Sequence, residues 1–448
     1  ALLRGCLAVD EHRVLRRYPA YGRLAAIARQ IDEHTVSYVS DAFLGDLVTW
    51  FHLAWLGAHR RRTDDRVKAL LSRGRGFTAA DRGSLLRVVH EEIDRLLPRY
   101  RALADSGRVE LATSPWGHPI LPLLLDLTAG RRTDPRAAVP EPDRYPGGAA
   151  RARWHVLHGL ERFEQHLGRR PRGCWPSEGA VCDGTAALLH ACGFEWIASS
   201  AAVLGNSLPP ADRDVCRHQP FRVDDGIRAF FRDDGLSDLI GFTYKDWDAG
   251  DAVANLVGHL DNIAEHYARE GLVTAIVMDG ENAWEHYPDN AHDFLATLYE
   301  RLAAHPRLRL RTFADVLDDP AIPAEPLRSL VPGSWVHGTL ATWVGHPDKN
   351  RAWDELSRAK AAVDRYFPDG ALPEEIARLL GTCEGSDWFW WLGDDNADVV
   401  VSRFEGLFRA HLRALYAALG EPAPESLDAP LATGSAGGTV RTMRPGTG

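Results

Sequence analysis

The chain has 448 residues, 45% of them hydrophobic and 25% charged, with a formal net charge of -10. This is the composition of a globular protein, and the length suits one barrel-sized domain plus a smaller unit. The acidic balance argues against a nucleic-acid partner, which needs a basic stripe to meet phosphates, and no apolar run reaches the roughly 18–20 residues of a membrane span.

Residues 11–105 predict mostly helix, with apolar residues at helical spacing and charges between them. Residues 48–56 (VTWFHLAWL) read as a buried helix, and Arg60, Arg61 and Arg62 as a solvated face. Residues 108–112 (RVELA) predict a short strand that runs into a turn-rich loop, 113–119. An apolar run resumes over 120–127, and the Pro-, Gly- and Arg-rich stretch 129–150 reads as a surface loop or linker. A helix over 152–167 precedes a brief strand at 172–174 and a loop at 175–181. Asp183 is the expected N-cap of the next helix and Gly193 its stop.

Strands are expected at 194–199 and 227–231, the second ending in Arg232 and Asp233. Residues 272–278 (LVTAIVM) give the clearest strand signal, a β-branched run of the kind found in parallel strands buried on both faces. Asp279 follows at once. A helix over 290–304, an alternating stretch at 307–311 (RLRLR) and a helix from near Phe313 complete the pattern. Such strand–loop–helix alternation predicts a parallel α/β barrel, in which chemistry collects at the C-terminal ends of strands. Residues 350–420 read as helical, interrupted by the aromatic segment 384–395, and the tail beyond about 429 reads as disordered.

The six cysteines include no Cys-x-x-Cys pair, so neither a zinc ribbon nor a redox dithiol is indicated. Free thiols in a reducing compartment, and hence a cytoplasmic location, are the expectation. The sequence opens at Ala-Leu-Leu, so the lack of a signal peptide says little.

Two acids stand where a barrel presents side chains to a cleft. Glu178 lies in a loop directly after a short strand, and Asp279 directly after the apolar run. Cleavage of a glycosidic bond needs one carboxylate and one carboxylic acid flanking the anomeric carbon, about 5–5.5 Å apart in retaining enzymes. Acids after strands also cap helices, so position alone leaves both readings open. Trp175 and Trp284 flank the two acids, Trp116 and His118 follow an earlier strand, and Arg232 with Asp233 ends another. Flat apolar rings among hydrogen-bonding side chains suit a sugar cleft. Taken singly, each Trp also suits a core, His118 a packed loop, and Arg232 with Asp233 a local ion pair.

Six stretches carry a family resemblance: 107–123 (GRVELATSPWGHPILPL), 173–181 (GCWPSEGAV), 231–242 (FRDDGLSDLIGF), 278–287 (MDGENAWEHY), 333–356 (GSWVHGTLATWVGHPDKNRAWDEL) and 384–395 (EGSDWFWWLGDD). In this order they resemble glycoside hydrolase family 57, particularly its amylopullulanase and α-amylase branch. The resemblance implies an incomplete (β/α)7 barrel over 1–325, a helical domain over 326–428 that contributes to the cleft, and a tail, 429–448. It implies Glu178 as nucleophile and Asp279 as general acid/base of a retaining reaction on α-1,4 and sometimes α-1,6 glucans. It also implies substrate contacts from Trp116, His118, Trp175, Arg232, Asp233, Trp284, Trp335, Asp387 and Trp388. No cofactor or catalytic metal is expected, although calcium binds structurally in some members.

The sequence departs from the family pattern twice. The family's first motif, a His-Gln-Pro segment on the first barrel strand, is absent ahead of the others, so that strand is expected to be missing. His218-Gln219-Pro220 matches it literally but follows the nucleophile motif and does not take its role. Asp234 stands where relatives commonly carry a histidine. Three rivals stay open: a 4-α-glucanotransferase or branching enzyme of the same family, a metal-dependent carbohydrate deacetylase, for which the His-x-x-x-His spacing is not evident, and a non-catalytic glucan-binding protein.

Overall fold

Among the described residues, one five-stranded sheet stands within a largely helical chain, and its strands at 196–200, 221–223 and 227–232 carry aromatic and β-branched residues. The structure, a computed structural model, describes residues 2–435 except 213–214, 224–225 and 281–282. Glu281, Asn282 and the tail from 436 onward lie outside the described residues. The strands are β1 (Gly173–Cys174), β2 (Trp196–Ser200), β3 (Phe221–Val223), β4 (Ile227–Arg232) and β5 (Glu325–Leu327), in the order β1-β2-β4-β3-β5. β2 pairs in parallel with β1 and β4, and β3 runs antiparallel to β4 and parallel to β5. All five residues of β2 are buried, as expected of a central parallel strand covered on both faces. Gly173 is required where it stands, because a Cβ there would fall 1.8 Å from the Trp196 ring. That indole donates to Glu110 Oε1 (2.7 Å), while Glu110 Oε2 accepts from Ala314 N–H (2.9 Å).

The expected strands at 108–112 and 272–278 are extended segments rather than ladder strands. Thr113, just beyond the first, forms a parallel bridge with Cys174, and Ala275 in the second forms one with Arg232. The segment 272–278 divides its hydrogen bonds among different partners. Val273 N–H donates to His218 O (2.9 Å), Ala275 O accepts from Asp233 N–H (2.8 Å), and Val277 N–H donates to Ser237 Oγ (3.3 Å). Within this segment only Ala275 is fully buried, so the double-sided burial expected of it does not form. The alternating stretch 307–311 forms no strand either. Arg309 turns back onto the carbonyls of His305, Pro306 and Leu308, and Arg311 onto Asp315 O and Asp319.

The chain divides into two compact units. The first comprises Ala1–Leu103, Thr243–Val257 and Asp279–Arg309. Its described elements are helical, and its core gathers Tyr21, Leu47, Trp50, Leu53, Val67 and Val88. The helix Asp41–Trp55 matches the buried helix expected at 48–56. The arginine run is only partly a solvated face: Arg62 is exposed and donates to Asp289 Oδ2 (3.0 Å) and Asp293 (3.0 Å), whereas Arg61 is buried and donates to Asp289 Oδ1 (2.8 Å). Burial pushes the Asp289 carboxyl up, but Arg61 and Arg17 outweigh it and hold it below the usual carboxylate range.

The second unit comprises Ala104–Phe242, Gly258–Met278 and Leu310–Gly448 and contains the sheet. Its core runs from Leu123 and Ile197 through Phe231 to Trp343, Trp353, Leu380 and Phe408. The helix expected from Asp183 spans Asp183–Ala191, but its N-cap is Cys182. The Asp183 carboxylate instead accepts from Leu330 N–H (2.5 Å) and Ser329 Oγ (3.0 Å), tying a distant loop to this helix. The helices Pro347–Tyr366, Glu374–Cys383 and Asp398–Ala418 make up most of the C-terminal part. All six cysteines are free thiols. Among the described residues, no helix is long and apolar enough to cross a membrane.

A polar cluster lies inside this core. Glu384 is fully buried and accepts from Tyr145 OH (2.8 Å) and from Arg151 Nε (2.9 Å) and NH2 (2.7 Å), while His155 Nε2 lies 2.7 Å from its Oε2. Burial pushes the Glu384 carboxyl up, yet the Arg151 charge and the His155 contact outweigh it and hold the group at about 2. Replacing Arg151 with Met leaves a buried carboxylate without its cation and should lower the unfolding free energy by about 3–5 kcal/mol, read from denaturant midpoints. The depressed value also fixes the acid response. The contribution of Glu384 is full above its ordinary value of 4.5 and is lost as pH falls toward about 2. Denaturation measured from pH 6 to pH 2 should show this loss, and Glu384→Gln should flatten it.

Candidate active site

Beyond Cys174 the chain leaves the sheet in the loop Trp175-Pro176-Ser177-Glu178-Gly179. Glu178 has φ 58° and ψ 23°, a left-handed conformation that costs a non-glycine residue on the order of 1–3 kcal/mol. The surrounding hydrogen bonds enforce it. Gly179 N–H donates to Pro176 O (2.8 Å), Ala180 N–H to Ser177 O (3.0 Å), and Ser199 Oγ to Gly179 O (2.7 Å). The segment 333–335 pairs with the loop from its far side. Val181 and Gly333 exchange two backbone bonds, and Trp335 N–H donates to Glu178 O (3.0 Å).

The same tryptophan meets the acid through its side chain, since Trp335 Nε1–H donates to Glu178 Oε2 (2.8 Å). The Trp175 ring stands edge-on to Trp335, with centroids 5.1 Å apart. The Arg232 guanidinium lies over the Trp335 ring, 5.0 Å from its centroid. Arg232 is buried at the end of β4 and donates to Asp234 Oδ1 (2.7 Å), Asp238 Oδ1 (2.6 Å) and Val277 O (3.0 Å). Burial raises the Asp234 carboxyl more than Arg232 lowers it. Asp233 caps the short helix Asp234–Asp238 by accepting from Leu236 N–H (2.8 Å). The ion pairs of Arg232 are thus with Asp234 and Asp238, the first and last residues of that helix. His218 is buried beside Tyr267 (5.5 Å) and Thr274 (3.3 Å), and its carbonyl holds Val273.

The other residues singled out in the sequence lie in separate settings. Trp116 packs edge-on against Trp154 (5.3 Å) and His158 (5.3 Å), and its N–H donates to His155 O (3.0 Å). His118 has φ 56°, and its Nδ1 lies 2.8 Å from Ser386 Oγ while its carbonyl accepts from Ser386 N–H (3.0 Å). Asp387, next in the chain, is exposed at the start of the helix Asp387–Trp391. Trp388 Nε1–H donates to Thr382 O (2.8 Å), and its ring packs on Phe408 and His411. Asp279 and Trp284 belong to the first unit. Asp279 is half-buried at the start of 279–309, and Trp284 lies in the turn Trp284–His286, 5.6 Å from the Tyr287 ring. The structure therefore joins Trp175, Glu178, Arg232 and Trp335 in one contact set.

Sequence reasoning missed Asp238 and Ser386, although both lie inside the quoted motif segments. Glu384 opens the segment 384–395, but its buried partners left no signal, because Arg151 and His155 lie more than 200 residues away. His346, Asp348 and Asp394 offer donor atoms within 4.8 Å of one another. However, His346 Nδ1 accepts from Asp348 N–H (3.2 Å) and Asp348 pairs with Arg351, so capping of the helix Pro347–Tyr366 accounts for the cluster.

The sequence pattern of glycosyl hydrolase family 57 matches residues 49–326, more than half of the chain. No curated protein sequence matches significantly. Among solved structures, the GH57-type branching enzyme of the hyperthermophilic archaeon Pyrococcus horikoshii is similar, with TM-score 0.57 and 17% identity over 94% of this chain and 81% of that one. The α-amylase AmyC of Thermotoga maritima has TM-score 0.55 and 16% identity over 86% and 83%. The 4-α-glucanotransferase of Thermococcus litoralis has TM-score 0.53 and 14% identity over 75% and 52%. The mixed α/β fold is thus similar to the fold of these enzymes. Within it, the chain belongs to glycosyl hydrolase family 57.

Gly179 gives a direct handle on the loop. It has φ 58°, and a Cβ there would lie 2.8 Å from the Trp175 ring. Gly179→Ala should displace Trp175, destabilise the protein by about 1–3 kcal/mol, and change tryptophan fluorescence before unfolding.

Proposed function

We propose that the chain is a retaining enzyme acting on α-1,4- and sometimes α-1,6-linked glucans, with Glu178 as nucleophile and Asp279 as general acid/base. The observation that carries this reading is Glu178 itself. It is an acid held in a strained backbone conformation at the C-terminal end of a parallel strand, with an indole N–H on one carboxylate oxygen and a second tryptophan alongside. Strain of this kind persists where the surroundings over-determine it, and it clusters at functional sites. The match of 278–287 to the family motif supports the role of Asp279.

In the first step Glu178 attacks the anomeric carbon, while protonated Asp279 gives its proton to the departing glycosidic oxygen. In the second, Asp279 takes a proton from a water or an acceptor sugar, whose oxygen displaces Glu178. Trp175, Trp284 and Trp335 supply apolar faces for sugar rings, with Trp116, His118, Arg232, Asp233, Asp387 and Trp388 around them. The parallel ladder β1-β2-β4, bridged at Thr113 and Ala275, supports reading the sheet as part of an incomplete (β/α)7 barrel. Residues 326–428, as a helical domain, would bring Trp335 to the cleft.

Transfer is the second reading, because the similar structures include a branching enzyme and a 4-α-glucanotransferase beside an α-amylase. The acceptor in the second step separates it from hydrolysis. On amylose, the hydrolase reading predicts new reducing ends, whereas transfer predicts redistributed chain lengths with few of them. Pullulan tests α-1,6 cleavage. Glu178→Gln and Asp279→Asn should each lower turnover by roughly a thousand-fold or more while leaving the fold intact. A Glu178→Gln protein that retains turnover would overturn the proposal.

A further inference from the structure

We infer that Trp335 is a positioning residue for Glu178. Its indole N–H fixes and keeps ionised the attacking carboxylate, and Arg232 behind the ring holds the indole in place. The inference rests on the assignment of Glu178 as nucleophile and adds to it a role beyond sugar stacking.

Three observations support it. First, residue 335 contacts residue 178 twice, through Trp335 N–H to Glu178 O (3.0 Å) and Nε1–H to Glu178 Oε2 (2.8 Å). The backbone bond sets the separation of the two segments, so the side-chain bond forms without independent ordering of the loop. Second, the indole is itself held. The Trp175 edge packs against one part of it and the Arg232 guanidinium covers its face at 5.0 Å. Third, Arg232 is locked by Asp234, Asp238 and Val277 O, so the cation stays over the ring. A guanidinium over an aromatic face is attracted to it, so this contact helps to fix where the indole N–H points. The charged groups gathered behind Trp335 are Arg232, Asp234 and Asp238.

The chemical consequence follows from hydrogen bonding to the charged form. A donor on a carboxylate stabilises the anion over the acid and so lowers its pKa. It also fixes rotation about the last side-chain torsion, which aligns the oxygens for attack. A tryptophan that only stacks on sugar would do neither.

The test replaces Trp335 with Phe, which keeps an aromatic face and removes the N–H. Site-specific incorporation of benzothienylalanine at position 335, which keeps the two-ring shape without the donor, covers the case in which the smaller ring disturbs packing. The first readout is the titration of the Glu178 carboxyl by 13C NMR of glutamate-labelled protein, assigned by the resonance lost in Glu178→Gln. Both replacements should raise that pKa by roughly one pH unit. The second readout is the pH profile of kcat/KM on 4-nitrophenyl α-maltoheptaoside. Its acid limb should move upward by a similar amount, and kcat should fall about ten-fold with a smaller change in KM. An unchanged Glu178 titration in both replacements overturns the inference, as does a change confined to KM. The titration needs no turnover. An inactive wild type therefore refutes the proposed activity alone and leaves the titration to decide the Trp335 bond.

Discussion

The site depends on one constraint: the pairing of the loop 178–181 with the segment 333–335. Glu178 adopts a backbone conformation that a glutamate does not choose in isolation. Two bonds between Val181 and Gly333, and a third from Trp335 N–H to Glu178 O, remove the alternatives. These bonds join segments 157 residues apart, so closing them restricts much of the second unit. Once they form, Trp335 has little choice but to lie against the acid. The strain at Glu178 is then a by-product of where the carboxylate has to point, held by contacts that are themselves ordinary backbone hydrogen bonds.

Around this clamp the second unit uses buried charge to hold loops that have no ladder of their own. Arg232 ties the end of β4 to the helix Asp234–Asp238 and, through Val277 O, to the extended segment 272–278. Glu384 does the same on the other side of the core, joining Arg151 and His155 of the helix Gly148–Leu167 to the C-terminal end of the helix Glu374–Cys383. Ser386, two residues beyond Glu384, is in turn bonded to His118. Isolated buried ion pairs add little stability. A fully bonded cluster still specifies one arrangement of its neighbours, because every alternative leaves a charge unmatched.

Much of this was legible in sequence, and the gaps have physical causes. Strands β2 and β4 and the C-terminal helices follow from local pattern, because burial on both faces or on one stripe dictates it. The motif segments brought Trp175, Glu178, Arg232 and Trp335 into view as separate residues. What they could not show was that Trp335 donates to Glu178, since hydrogen-bond partners over 150 residues apart leave no periodic trace. The run 272–278 misled for the converse reason. Its composition suits a ladder strand, but neighbouring segments take its backbone groups one at a time. Residues 307–311 alternate like a strand, yet the arginines that create the alternation fold back onto nearby carbonyls. Arg61 looked solvated because charge is usually at the surface, and only the distant Asp289 makes its burial tolerable.

The departure at Asp234 fits the same electrostatic logic. A histidine at this position would bring at most a weak positive charge beside Arg232, whereas Asp234 is buried and bonded to the Arg232 Nε. With Asp238 bonded as well, the guanidinium is anchored over the Trp335 ring. The indole thus lies between a buried, paired guanidinium and the Glu178 carboxylate, and its N–H meets that carboxylate from a ring that Trp175 and Arg232 both hold in place.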